Sequence, residues 1–240
     1  MPVFQDGETS IYYEERGAGF PVLLIAPGGM RSAVSYWRNT PWNPAEALSD
    51  GYRVIAMDQR NAGQSLAPVR ADDGWHVYTR DQLRLLDHLG VERFHVAGMC
   101  IGGPYCMGLI EAAPERVASA VLFQPIGLED NRQAFYDMFD SWADELKPQR
   151  PDTPAAAWES FKHNMYDGDF LFNVDEAFVA GCPTPLLVLC GNDLYHPRST
   201  SLTIARVAPK AELVEQWKEG EHRERAMARV RAFLDAHTPR

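Results

Sequence analysis

The chain has 240 residues, a formal net charge of −10, 45% hydrophobic residues and 23% charged residues. A chain of this length can bury one sizeable core, so we expect a single soluble domain with a modest insertion. The net negative charge and the absence of a basic stripe argue against nucleic acid as a partner. No apolar run is long enough to span a membrane and no signal peptide is visible, so we expect no membrane partner either.

The cysteines show neither a C-x-x-C spacing nor the spacing of a zinc site. Without a secretion signal, we expect reduced thiols in a cytoplasmic protein. Three of them are predicted to pack as small hydrophobic residues: Cys106, Cys182 and Cys190. Cys100 lies in a different context, a glycine-rich turn, and is considered separately below.

Buried strands and helices are predicted to alternate along the chain. A hairpin is predicted over residues 5–16. Continuous apolar runs predict buried strands over residues 21–26, 52–57, 93–97, 118–123, 185–189 and 211–216, and helical patterns cover residues 79–89, 104–113 and 222–236. This alternation predicts an α/β fold with a mostly parallel, doubly wound sheet that is covered on both faces.

One stretch, residues 128–181, interrupts the alternation with helix-like pieces rich in aromatic residues. These aromatic side chains have two interpretations: they attach a helical insertion to the body, or they form a lid over the carboxyl ends of the strands, where ligands bind in open α/β sheets. We therefore predict a core of residues 1–127 and 182–240 with a helical lid of residues 128–181.

The segment Gly98-Met99-Cys100-Ile101-Gly102 has the form G-x-nucleophile-x-G between a predicted strand and a predicted helix. A sharp turn there holds the nucleophile in a strained conformation, and glycines are needed where a Cβ would collide with neighbouring backbone. The helix N-terminus favours a thiolate. Cys100 is the predicted nucleophile; the alternative is a buried structural cysteine.

A thiol nucleophile needs a base, and the base needs an orienting carboxylate. Asp193 follows the predicted strand over residues 185–189 and is the candidate acid, although it could simply form a turn. His222, at the start of the last helix, is the preferred base. His196, three residues from Asp193, is the competing candidate for the base, or a residue that lines the pocket.

An acyl intermediate needs two backbone N–H groups directed at its oxyanion. We expect one from Ile101. The other should come from the loop after the first buried strand, where we favour Gly29 and then Met30; the alternative is an ordinary turn. The candidate substrate contacts are His196, Trp142, Trp158, Met99 and His163.

Along nearly its whole length the chain resembles the α/β-hydrolase superfamily. The matching segments are PVLLIAPGG, AMDQRNAGQS, HVAGMCIGG, PLLVLCGND and EGEHRER. Among them, AMDQRNAGQS is similar to a segment of the lid-bearing members, which include enol-lactone hydrolases, meta-cleavage-product hydrolases and dehalogenase-like enzymes. Three departures are Pro27-Gly28 for the usual His-Gly, one extra residue before His222, and Cys100 for the usual Ser, which resembles the dienelactone hydrolases.

The leading hypothesis is a hydrolase of a small activated carboxylic ester, lactone or thioester that forms an S-acyl intermediate on Cys100. Such a thioester can also react with amines or thiols, so an acyltransferase is the second hypothesis. The third is a non-catalytic ligand-binding protein on a hydrolase scaffold. We expect a small-molecule substrate, no metal and no cofactor, because no metal cluster, Walker loop or dinucleotide motif is present. A homodimer is one option for the oligomeric state.

Overall fold

The computed structural model describes residues 2–239 and contains one eight-stranded sheet. Its strands, in chain order, are β1 (Val3–Asp6), β2 (Thr9–Arg16), β3 (Phe20–Ile25), β4 (Tyr52–Met57), β5 (Phe94–Met99), β6 (Val117–Phe123), β7 (Leu186–Leu189) and β8 (Ala211–Val214). Their order across the sheet is β1-β2-β4-β3-β5-β6-β7-β8. The pairs β1–β2 and β2–β4 are antiparallel and all others are parallel. The predicted mostly parallel α/β sheet is confirmed.

Helices lie between the strands of the parallel part. They are α1 (Pro44–Ala47), α2 (Trp75–His88), α3 (Gly102–Ala112), α4 (Arg132–Leu146), α5 (Ala155–Tyr166), α6 (Glu176–Ala180), α7 (Arg198–Val207) and α8 (Gly220–His237). Helix α2 begins one turn before the predicted start at residue 79, and the sequence pattern did not predict α7. None of the helices within residues 2–239 is both long and apolar enough to cross a membrane.

Both faces of the central strands are buried, as the apolar runs predict, whereas the edge strand β8, which was also predicted to be buried, is only partly buried. In β3, Leu23 and Ile25 belong to one buried cluster, while the alternate residues Val22 and Leu24 belong to the other. This alternation explains why the strand needs apolar residues at every position, because each face packs against its own layer.

Residues 128–181 contain α4, α5 and α6 and no strand. Aromatic residues of α4 and α5, such as Phe139 and Phe161, belong to the same buried cluster as Leu23. Two contacts attach α4 to the loop after β3: the Met138 thioether lies against Gly29, and Arg31 forms an ion pair with Glu145 at 2.7 Å. Helix α4 is therefore positioned directly over the carboxyl end of β3.

Candidate active site

Cys100 lies at the sharp turn between β5 and α3. Its φ of +62° lies in the left-handed region, which non-glycine residues rarely adopt. The turn is attached to the end of β6: the Cys100 N–H donates to Phe123 O at 3.0 Å, and Ile126 N donates to Cys100 O at 3.2 Å. A strained backbone held by neighbouring structure is typical of functional sites.

The glycines of the turn are required by close backbone contacts. A Cβ on Gly98 would lie 2.2 Å from Gly102 O, and a Cβ on Gly102 would lie 2.8 Å from Ile25 O. A Cβ on Gly103 would lie 2.5 Å from the Pro125 Cβ. These distances are the physical reason for the G-x-C-x-G-G pattern, because the start of α3 packs directly against β5, the end of β3 and the segment after β6.

Asp193 and His196 occupy one tight loop after β7. The His196 Nδ1 lies 2.7 Å from the Asp193 Oδ1, and that same oxygen accepts the backbone N–H groups of Tyr195 and His196 at 3.1 Å each. A Cβ on Gly191 would lie 2.4 Å from His196 O, so this glycine allows the loop to close. Asp193 therefore forms the turn and also binds the imidazole.

The His196 ring lies near both Asp193 and Cys100. Its Nδ1 binds the Asp193 carboxylate, while its buried Nε2 makes no hydrogen bond within the described residues. Burial favours the neutral imidazole, but the proximity of Cys100 and then of Asp193 outweighs burial and raises the pKa of His196. Burial likewise opposes ionisation of Cys100. The interaction with His196 and the backbone N–H groups of Gly28 and Ile101 outweigh burial and lower the pKa of the thiol. Both shifts favour a thiolate–imidazolium pair.

His222 lies elsewhere, which corrects the sequence-based preference for it as the base. It is exposed in the first turn of α8, beside a separate cleft lined by Cys190 and Trp217. The groups that interact with Cys100 include His196 and not this imidazole. The competing candidate, His196, is the histidine that the fold brings to the thiol.

A cavity of about 240 Å³ opens above Cys100. Its lining residues come from the loops after β3, β5, β6 and β7 and from α4: Gly28, Gly29, Cys100, Ile101, Ile126, Phe135, Met138, Tyr195 and His196. The location at the carboxyl ends of the strands is where ligands bind in open α/β sheets. A larger cleft of about 1020 Å³, lined by Trp75 and Asn173 among others, lies apart from Cys100.

Four of the predicted substrate contacts do not line this cavity. Met99 is 2% exposed and packs in the buried cluster that contains Val22 and Leu24. Trp142 and Trp158 pack against each other, and the Trp142 indole N–H donates to Asn61 O. His163 is exposed on α5 and pairs with Asp167. Of the five predicted contacts, only His196 lines the cavity.

The loop that was predicted to supply an oxyanion N–H lines the cavity, but the amide nearest to Cys100 is that of Gly28, one residue before the favoured Gly29. The backbone N–H groups of Gly28 and Ile101 lie near enough to Cys100 to lower the pKa of its thiol. Gly28 and Gly29 both line the cavity, and Gly29 lies against Met138. Met30 is buried, and its thioether accepts the hydroxyl of Tyr166. The glycines in Pro27-Gly28-Gly29 predicted this loop, whereas the conformation of the turn decides which of its amides lies nearest to Cys100.

Four cavity-lining residues were not predicted as substrate contacts from the sequence: Ile126, Phe135, Met138 and Tyr195. Phe135 and Met138 lie one turn apart on α4, so they share a face of that helix. The aromatic composition of residues 128–181 indicated a contribution to the site, but the orientation of α4 selects these two side chains.

Comparisons with known proteins agree with this fold. A model of the alpha/beta hydrolase fold family matches residues 21–169, more than half of the chain. The enol-lactonase from Burkholderia xenovorans LB400 has a solved structure that superposes with a TM-score of 0.69 at 20% identity, covering 98% of this chain and 100% of that one.

Two relatives match in sequence. A protein from Azorhizobium caulinodans with the provisional name carbamate hydrolase RutD is 42% identical over 122 residues, which cover 51% of this chain and 43% of that protein. This match therefore spans less than half of the relative's length. The 2-hydroxy-6-oxononadienedioate/2-hydroxy-6-oxononatrienedioate hydrolase of Paraburkholderia xenovorans is 26% identical over 266 residues, covering 95% of this chain and 92% of that protein. The chain belongs to the α/β hydrolase fold family.

Proposed function

We propose that this protein hydrolyses a small activated carboxylic ester, lactone or thioester through an S-acyl intermediate on Cys100. The observation that carries the proposal is the juxtaposition of Cys100, His196 and Asp193: Asp193 binds the imidazole at 2.7 Å, and Cys100 and His196 line the same cavity. A nucleophile, a base and an orienting carboxylate in this order can perform acyl transfer.

In the acylation step, His196 takes the thiol proton and the Cys100 sulfur attacks the carbonyl carbon. The N–H groups of Ile101 and Gly28 stabilise the oxyanion, because both already stabilise negative charge on the neighbouring sulfur. Collapse of the tetrahedral species breaks the bond to the leaving group, which receives the proton from His196.

In the deacylation step, His196 takes a proton from water, and the resulting hydroxide equivalent attacks the thioester carbonyl carbon. The carbon–sulfur bond breaks, the carboxylic acid leaves, and the proton returns to the Cys100 sulfur. Asp193 keeps Nδ1 protonated throughout, so that Nε2 is the nitrogen that exchanges protons. A thiol nucleophile functions best in a reducing compartment, and we propose a cytoplasmic location.

Residues 128–181 act in this proposal as the lid over the cavity. Support comes from α4, which contributes Phe135 and Met138 to the cavity and contacts the loop that carries Gly29.

The Paraburkholderia xenovorans relative is named for a dioate, a substrate with two carboxylates. The nine residues that line this cavity include no Arg or Lys. We therefore do not carry that substrate over.

The test is mass spectrometry of the protein quenched during turnover of a nitrophenyl ester. We expect an acyl adduct on Cys100, with the adduct and turnover both lost in Cys100→Ala. The matched control is Cys182→Ala, which removes a buried thiol remote from the cavity. Adding amine or thiol acceptors separates hydrolysis from acyl transfer, and full activity of Cys100→Ala would exclude the mechanism.

A further inference from the structure

We infer that the cavity accepts a short, uncharged, apolar acyl group, while the leaving group extends to solvent past Met138 and Tyr195. This inference rests on the proposed function and adds the substrate class. It assigns Phe135 as the residue that limits acyl length. Four features of the cavity support it: its volume, the burial of its walls, its lack of charge and the rigidity of Phe135.

The volume limits the size of the group. At about 240 Å³, the cavity is smaller than the roughly 300–1,000 Å³ typical of pockets that bury drug-sized ligands. At about 30 Å³ per water-sized group, it holds on the order of eight non-hydrogen atoms. Acetyl and butyryl groups fit within this limit, whereas a decanoyl group does not.

Burial distinguishes the closed part of the cavity from its rim. Ile101, Ile126 and Phe135 are at most 2% exposed, whereas Met138 and Tyr195 are partly exposed. Leu194, next to Tyr195, is 60% exposed. The acyl group stays on the enzyme between the two steps, and the leaving group must depart and be replaced by water. The closed part therefore suits the acyl group, and the rim suits the leaving group.

The charge of the walls excludes ionised acyl groups. Apart from the catalytic Cys100 and His196, the described lining residues carry no ionisable side chain other than the Tyr195 phenol. A carboxylate enclosed there would lose its hydration, and the one cationic group in the lining, the His196 imidazolium, already interacts with Cys100 and Asp193. An apolar acyl chain gains free energy in the same place by burying its surface.

Phe135 is held rigidly. Its ring contacts Tyr166, Phe172 and Tyr195, with ring centroids 5.3, 4.6 and 5.4 Å away. A side chain packed on three sides cannot move aside for a longer chain without opening the core. Met138, by contrast, is unbranched and partly exposed, so it can adapt to different leaving groups.

The experiment measures kcat/KM for nitrophenyl esters from acetyl to decanoyl, with the hemisuccinate as a charged analogue of butyryl. We expect an optimum at acetyl to butyryl and at least about a tenfold loss for decanoyl and for hemisuccinate, which corresponds to about 1.4 kcal/mol. Phe135→Ala and the milder Phe135→Leu should move the optimum to longer chains. Phe139→Leu, a buried phenylalanine of the same helix outside the cavity, should leave it unchanged.

An additional measurement does not depend on turnover. S-alkyl methanethiosulfonates transfer their S-alkyl group to the Cys100 thiolate, which forms a disulfide and releases methanesulfinate. We expect the labelling rate to fall with chain length in the same way, and Phe135→Leu to relieve the fall. A rate independent of chain length, or a preference for hemisuccinate over butyryl, would overturn the inference. Chain-length-dependent labelling without any acyl adduct would instead refute the hydrolase and leave the cavity assignment standing.

Discussion

His196 Nδ1 lies 2.7 Å from Asp193 Oδ1, and both residues belong to the loop between β7 and α7. The backbone of the same loop is closed by hydrogen bonds in both directions between the two residues, at 3.1 and 3.2 Å. A single tight loop thus supplies both the histidine near the Cys100 thiol and the carboxylate that binds this histidine. The geometry between the two residues therefore does not depend on the packing of a distant element.

This geometry predicts unequal effects at the two histidines. His196→Gln should reduce kcat/KM by roughly 10²–10⁴-fold, because the thiol loses its base. His222→Gln should leave kcat/KM unchanged, since this exposed side chain lies beside a different cleft. Steady-state kinetics on a nitrophenyl ester measures both. The assignment fails if the two variants exchange these outcomes.

The pH dependence of thiol alkylation should reveal the interaction of Cys100 with His196. The imidazolium and the backbone N–H groups lower the pKa of the Cys100 thiol although burial alone would raise it. Iodoacetamide should therefore react at a lower pH than with an ordinary cysteine. In His196→Gln the burial effect and the backbone N–H groups remain without the imidazolium, so the apparent pKa should rise relative to that of the wild-type protein. Asp193→Asn should raise it less, and an unshifted profile in His196→Gln would contradict the ion pair.

The sharp turn at Cys100 should not tolerate a side chain at Gly98. The added Cβ of Gly98→Ala would lie 2.2 Å from Gly102 O and 2.8 Å from the Cys106 sulfur. Relieving that overlap requires backbone movement, so we expect a loss of about 1–3 kcal/mol or more in the free energy of unfolding. Gly181→Ala is the control, because its Cβ has no contact closer than 3.6 Å. Urea unfolding monitored by fluorescence checks both, and equal stability of the two would refute the steric argument.

A buried ion pair joins Arg60, in the loop after β4, to Asp81 of α2, and it should contribute strongly to stability. Arg60 and Asp81 are each 2% exposed, and two hydrogen bonds of 2.7 and 3.1 Å join them. Arg60→Ala leaves the buried Asp81 carboxylate with only the exposed Arg80 at 4.0 Å, and it also removes the ion pair of Arg60 with the buried Asp73. We therefore expect a loss of about 3–5 kcal/mol.

The control for this ion pair is the exposed pair of Arg206 and Glu176. Arg206→Ala should cost no more than about 1 kcal/mol, because water solvates both charges of that pair. Chemical denaturation measures the two losses. A small effect of Arg60→Ala would show that Asp81 finds other partners.

Much of the fold follows from local patterns. Runs such as residues 21–26 are apolar at every position, and this pattern correctly predicted strands buried on both faces. Glycines around Cys100 predicted the turn, because the sharp bend itself requires a close backbone contact within the motif, that of Gly98 with Gly102 O. Helix α7 was missed because its first turn, after Pro197, is polar and has no side-chain hydrogen bond at its N-cap.

The amino-acid sequence by itself determined the candidate nucleophile, the candidate acid and the alternation of strands with helices, since each follows from patterns over a few consecutive residues. Only the tertiary structure placed His196 rather than His222 near Cys100, and Phe135 and Met138 rather than the tryptophans in the cavity wall. It also favours Gly28 over Gly29 as the amide nearest to the thiol. These choices depend on how loops close and on how α4 rotates against the sheet. Such orientations arise from contacts between segments distant in the chain, so no spacing along the sequence encodes them directly.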